Sequence, residues 1–182
     1  MKVKAHVSIT PEKVIVGEKI LTFGSVGAEL LVEVYRKNVG DYPKFFKMDP
    51  LARLGFVAAE LLLGEETPRK TDCEDRAVIF FNRSASLADD VEYQKTIGRG
   101  GFFPSPAVFV YTLPNIVTGE IAIRNKYYGE TSFYVLEDKD DAVMKEIVEQ
   151  TFQDPVTESA IAGWLECSDP EHFEAELYLI EK

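Results

Sequence analysis

Apolar and polar residues alternate over residues 2–9, the period of a half-buried β-strand. Pro11 and Gly17 punctuate the next segment, and Val14-Ile15-Val16 and Ile20-Leu21-Thr22-Phe23 predict a short hairpin. Over residues 26–38 the period changes. Leu30, Leu31 and Val34 share a helical face, and Gly40 supplies a stop. Asp49-Pro50 is a helix start, a capping carboxylate followed by proline at the first helical position. That helix runs through Leu51, Leu54, Val57, Ala58 and Leu61 to Leu63 and stops at Gly64.

A charged loop spans 65–74. Ala77-Val78-Ile79-Phe80-Phe81 then reads as a strand buried on both faces. Residues 86–97 predict a helix with a polar side, Gly98-Arg99-Gly100-Gly101 a flexible loop, and residues 114–126 another helix. Residues 132–136 form a strand, 138–152 an amphipathic helix, and 159–166 and 173–180 two closing strands. The short loop 167–172 makes this last pair antiparallel. Strands alternating with helices predict a layered α/β/α architecture. The expected core is a mixed five-stranded sheet in one domain, residues 1–182.

The composition is that of an ordinary globular chain, but the net charge is −11. Such a surface repels phosphate backbones and anionic bilayers, so neither nucleic acid nor membrane is an expected partner. The start of the sequence lacks the apolar run of a signal peptide. No segment approaches the roughly 18 apolar residues of a membrane helix. A cytoplasmic protein is expected. Cys73 and Cys167, far apart in sequence, are expected as reduced thiols.

One stretch is more specific than the rest. Residues 103–124, with Pro114-Asn115 opening a helix of small residues, resemble β-ketoacyl synthases of the thiolase-like superfamily. Lys47-Met48-Asp49-Pro50-Leu51-Ala52-Arg53-Leu54-Gly55 resembles that family's segment before its second helix. Phe80-Phe81-Asn82-Arg83-Ser84 stands where the family has a strand leading into a Gly- or Ser-rich turn. The resemblance covers most of residues 45–170 and is nearest to short ketosynthase-like proteins of bacterial polyene-type pathways. It implies a single half of a thiolase-like fold, the first of the family's two homologous halves. The family's catalytic histidines sit in the second.

The resemblance also places the nucleophile. With Gly129 at the turn position and Ala162-Gly163-Trp164-Leu165-Glu166 as the glycine-rich strand, the ungapped register puts Asp138 where the family has its cysteine. A carboxylate cannot do that work, because an acyl-aspartate is an anhydride rather than a thioester. His6 and His172 match no catalytic motif. No catalytic residue, cofactor site or metal site is therefore expected.

The helix after Asp138 offers a separate test. In the full fold it lies between two sheets and is apolar all round. Here Ala142, Val143, Ile147 and Val148 share one face, and Lys139, Asp140, Lys145, Glu146, Glu149 and Gln150 crowd the rest. Burying those charges unpaired would cost several kcal/mol each, so the helix is expected to be half-exposed. Asp138 is then expected to be its N-cap, worth about 1 kcal/mol.

The remaining candidates have plain readings. Acidic neighbours suppress a thiolate at Cys167, and Cys73 has a mixed setting of Arg69, Lys70 and Arg76 against Asp72, Glu74 and Asp75. The 98–101 loop lacks the lysine and the strand–loop–helix setting of a phosphate loop. Glu137, Asp138, Asp140 and Asp141 do not have the spacing of a calcium loop. Asn82-Arg83-Ser84 matches a glycosylation sequon by pattern only.

Three functions remain open. The first is a degenerate ketosynthase-like accessory subunit, a homodimer or a heterodimer with a ketosynthase through the apolar strand Phe133-Tyr134-Val135-Leu136. The second is an active 3-oxoacyl carrier protein synthase subunit, an acyltransferase completed by a partner chain. Acyl carrier protein would then dock on a basic patch around Arg53, Arg69 and Lys70. The third is an unrelated α/β binding protein using Phe102, Phe103, Tyr111, Tyr127 and Tyr128.

Overall fold

The computed structural model describes residues 1–97 and 104–182, so the 98–101 loop, Phe102 and Phe103 lie outside the described residues. The chain builds one mixed sheet from β1 (Lys2–Thr10), β2 (Lys13–Val16), β3 (Lys19–Leu21), β4 (Arg76–Asn82), β5 (Thr131–Val135), β6 (Ser159–Asp169) and β7 (His172–Glu181). The strand order is β3-β2-β1-β7-β6-β4-β5. The sheet has seven strands rather than the five expected. The difference is the hairpin: β2 pairs with β1 and β3 with β2, so the hairpin continues the main sheet. β5 and β6 both run parallel to β4, and β6–β7, β7–β1 and the hairpin are antiparallel.

β4 is apolar without alternation because it is buried on both sides. Val78 and Phe80 join the core on one face of the sheet, and Ala77, Ile79 and Phe81 the core on the other. The closing strands are longer than the sequence pattern suggests and shrink the 167–172 loop to a turn at Pro170-Glu171.

The first face carries α1 (Gly27–Asn38), α2 (Pro50–Leu62) and α5 (Ile116–Asn125). α2 begins as expected: the Asp49 carboxylate accepts from Leu51 N at 3.2 Å and Ala52 N at 3.0 Å. It lies against β1, β6 and β7 with α1 and α5 beside it, so nearly all of its residues are buried. Gly55 allows this closeness. A Cβ there would sit 2.5 Å from Val117 Cγ2 and 2.7 Å from a methyl of Leu165. α3 (Leu87–Thr96) and the short α4 (Pro106–Tyr111) pack on each other near the start of α2.

The second face carries α6 (Asp141–Thr151). Val148, with Met144, Ile147 and Phe152, covers the apolar residues of β4 and β6. The other side of α6 is open to solvent, which is the half-exposed helix its sequence predicts. The packing residue is Met144 and not Val143, which stays outside the core.

Candidate functional site

Three strands, β5, β4 and β6, run parallel, with β4 and β5 ending level at Asn82 and Val135 at one edge of the sheet while β6 runs on past them to Asp169. β4 lies between the other two, and at such a reversal of strand order loops at the carboxyl ends leave a crevice. The residues at this edge are Asn82-Arg83-Ser84 after β4, 136–140 after β5, and Glu166-Cys167 in β6.

The turn after β4 is held by its own side chains. Asn82 Nδ2 donates to Ala85 O at 2.8 Å, and Ala85 N donates back to Asn82 Oδ1 at 3.0 Å. This brace holds Ala85 at φ +50°, a conformation that costs a non-glycine residue about 1 kcal/mol. The Glu166 carboxylate accepts from Arg83 N at 2.8 Å and from the Ser84 hydroxyl. Glu166 thereby ties β6 to the β4 turn.

Asp138 lies in the bend between β5 and α6, with its side chain 80% exposed. Its charged neighbour is Arg83, 3.8 Å away and also exposed, a pair of little energetic weight. Asp138 is not the cap of α6. The cap is Asp140, whose Oδ1 accepts from Ala142 N at 2.9 Å and Val143 N at 3.1 Å. The physical reason is register: the helix begins at Asp141, and a capping oxygen reaches only the amides two and three residues on.

Beside Asp138 the chain assembles a network that sequence patterns did not single out. Lys139 Nζ donates to Glu174 Oε1 at 2.8 Å and to Glu176 Oε2 at 2.7 Å. Tyr178 OH donates to Glu176 Oε1 at 2.6 Å, and the His6 ring stacks on Tyr178 with centroids 4.6 Å apart. The hydrogen bond from Lys139 and then that from Tyr178 hold the Glu176 carboxyl below its usual range. The signal was the period of two along β7, which puts Glu174, Glu176 and Tyr178 on the second face. His172 opens β7 just after the turn, with Nδ1 2.9 Å from the Asp169 carboxylate. Neither histidine is brought to Ser84 or Asp138.

Both cysteines are free, and the surroundings of each disfavour the thiolate. Burial, with Asp49, Asp169 and Glu166 nearby, pushes the Cys167 thiol up to about 12. Burial and the hydrogen bond to Asp75 raise the Cys73 thiol. We expect iodoacetamide to alkylate Cys167 of the folded protein at pH 7.5 about a thousandfold more slowly than an unfolded thiol. Intact mass against time checks this, and labelling of Cys167 at the free-thiol rate would contradict the environment described.

The proposed basic patch does not form. Arg53 lies near the start of α2 and stacks on Phe45, while Arg69 and Lys70 lie beyond its other end. Arg69 is bound to buried Glu60 at 2.6 Å and to Asn125 at 2.8 Å. Lys70 is paired with Asp41 at 3.0 Å, and Arg124 joins Asp41 and Glu60 to the same cluster. Tyr111 and Tyr127 pack in the core, and only Tyr128 of the described aromatics in that candidate surface is exposed. Among the described residues no group of three or more histidine, cysteine or acidic side chains could hold a metal ion. No described helix is long and apolar enough to cross a membrane.

The architecture has solved counterparts. The ishigamide ketosynthase/chain length factor superposes with a TM-score of 0.73 at 14% identity, over 99% of this chain and 61% of that one. The chain has a ketosynthase-like fold. A ketosynthase in complex with its chain length factor from Xenorhabdus doucetiae matches at TM-score 0.64 and 14% identity, over 100% of this chain and 78% of that one. A type II PKS acyl-carrier protein in complex with its ketosynthase bound to the hexaketide matches at 0.63 and 12%, over 99% and 57%. The chain thus spans about three fifths of the first and third of these proteins. No protein-family model matches the sequence, and no curated protein matches it. The ketosynthase-like fold expected from the resemblance of residues 45–170 extends over 99% of the chain.

Proposed function

We propose that this chain is a catalytically degenerate ketosynthase-like subunit that works beside a ketosynthase, as a chain length factor does, in polyketide- or fatty-acid-type biosynthesis. The observation that carries this reading is the match of 99% of the chain to a ketosynthase/chain length factor fold, in a chain where the surroundings of both cysteines disfavour the thiolate. Asp138, in the proposed register, stands at the position of the family's nucleophile. An exposed carboxylate there cannot hold an acyl group as a thioester.

The proposed contact is the edge strand β5. It hydrogen-bonds to β4 on one side only, and Val135, with nearby Tyr128 and Ile123 on the same flank, exposes apolar surface. A strand edge with unpaired amides and apolar side chains favours pairing with a second strand. The ketosynthase of the same pathway is the proposed partner, with acyl carrier protein recruited through it. The acids paired with Arg69 and Lys70 disfavour direct docking of an acidic carrier protein here.

Two measurements test this. Incubation with acyl-CoA and acyl-carrier-protein donors should leave the intact mass unchanged, and an acyl adduct on Cys73 or Cys167 would restore the enzyme reading. Co-expression with the pathway ketosynthase should give a complex by native mass spectrometry. Val135→Lys should weaken that complex at least tenfold, and an unaffected complex would rule out β5 as the contact.

A further inference from the structure

α3 turns a carboxyl group, not an apolar stripe, toward the rest of the protein. Its one buried residue is Asp89. Leu87 and Val91 face solvent, and Tyr93 packs on the half-exposed Phe109 of α4, with ring centroids 5.3 Å apart. Ser86-Leu87-Ala88-Asp89 has the spacing of a capping box, which would turn both polar side chains back onto the backbone amides at the head of the helix. The structure does not make that box. The Ser86 hydroxyl caps no amide, and among the described residues neither Ser86 Oγ nor Asp89 Oδ2 has a hydrogen-bond partner, although both residues are buried. A buried oxygen in this state is tolerable on a neutral carboxyl and costly on a carboxylate.

The surroundings add charge of the same sign. α3 packs on α2, α4 and β6. At the head of α2 stands a second buried carboxyl, Asp49, close enough for the Asp89 charge to act on it. α2 also carries Arg53, but its guanidinium donates to Phe46 O at 3.0 Å and lies over the Phe45 ring. α4 contributes the Tyr111 hydroxyl. β6 contributes Cys167, Glu166 and Asp169; Glu166 is already held by the turn after β4, and Asp169 by His172. On α3 itself Asp90 and Glu92 are exposed acids, and Lys95 is paired with Glu92. Among the described residues no cation pairs with Asp89. We propose that α3 is a proton-dependent clasp, seated on the head of α2 while Asp89 is protonated and loosened when Asp89 and Asp49 are both ionised. The clasp follows directly on the turn after β4, at the crevice of the candidate site. Burial, then the charges of Asp90 and Glu92, push the Asp89 carboxyl up to about 6, and burial pushes Asp49 up to about 7. A loosened α3 returns Asp89 to water, where a carboxyl ionises at about pH 4. The seated form therefore binds more protons between these values, and opening gains as pH rises.

Hydrogen–deuterium exchange of the full chain, read by mass spectrometry and corrected for the chemical exchange rate at each pH, tests this. Protection of the α3 amides should fall about tenfold or more from pH 5 to pH 8. α6, on the opposite face of the sheet, should change far less. Asp89→Asn keeps an oxygen, removes the charge and should abolish most of the fall in α3. Asp90→Asn removes the same charge from an exposed site on the same helix and should keep the fall. Constant protection of α3 over this range, an equal fall in α6, an equal fall in Asp89→Asn, or a fall lost equally in Asp90→Asn would each overturn the proposal.

Discussion

Gly163→Ala is expected to destabilise the fold by about 4 kcal/mol. Gly163 sits in β6 at φ +155°, opposite Leu177 of β7. A Cβ at this position would stand 2.0 Å from Glu176 O and 2.9 Å from Leu177 Cα. Both are backbone atoms, so no side chain can rotate away. Nor can the strands part, because β4 flanks β6 on its other side and β1 flanks β7. The added methyl must break the ladder or push two central strands apart. A protein of this size loses about 2–4 °C of Tm per kcal/mol, so a drop of about 10 °C or more is expected by calorimetry. Gly119→Ala is the control. It lies inside α5, and a Cβ added there would meet nothing within 4 Å, so it should gain about 0.5–1 kcal/mol from the helix alone. A Gly163→Ala protein with the wild-type Tm would mean that β6 and β7 are not held as described.

The same glycine shows how much of the fold was legible. In the sequence it served only as part of a glycine-rich strand in a family register; its physical need, a close approach of β7, required the partner strand. Elements with a local cause were readable. Asp49-Pro50 starts α2 because cap and proline act on the adjacent turn. β4 is buried because five apolar residues in a row leave no polar face. What failed depended on contacts between distant segments. The hairpin joined the sheet because β1 offered it an edge, which raised the strand count. α4 went unread although Ser105-Pro106 is a cap and proline pair like the one before α2, with Val108 N donating to Ser105 Oγ at 3.4 Å. Its brevity and β-branched residues hid it.

The candidate site divides along the same line. The raised Cys167 thiol was foreseeable from the acids around it, and burial added the larger part. The cap of α6 was misplaced by two residues, since a run with acids at 137, 138, 140 and 141 offers several caps and only the backbone selects Asp140. The Lys139–Glu176–Tyr178–His6 network joins β1, β7 and the loop before α6; the period of two along β7 puts Glu176 and Tyr178 on one face, but only the fold brings Lys139 and His6 to them.

Asp49→Asn is expected to flatten the pH dependence of stability above pH 5. Burial pushes the Asp49 carboxyl up to about 7, against the amides of Ala52 and Leu51 that pull it down and with the Asp89 charge adding to the rise. The folded chain therefore keeps a proton that the unfolded chain releases near pH 4. Between these values the native state binds more protons, so stability falls as pH rises and the deficit is complete above about 7. The full shift corresponds to about 4 kcal/mol at most. Asp89, pushed up to about 6 by its own burial and by Asp90 and Glu92, acts with the same sign. Carboxylates held low by their partners act oppositely, but they do so at more acid pH: Asp41, held at about 2 by Arg124, has delivered its stabilisation by pH 5. Asn keeps an oxygen for the α2 cap and removes the titration. The Tm of the parent protein should thus fall from pH 5 to pH 8 at constant ionic strength. Asp49→Asn should lose a large share of that fall, keep the part due to Asp89 and to general charge repulsion, and be the more stable protein at pH 8. A parent Tm that rises over this range, or a variant that falls as steeply, would show that Asp49 is ionised and well solvated at the head of α2.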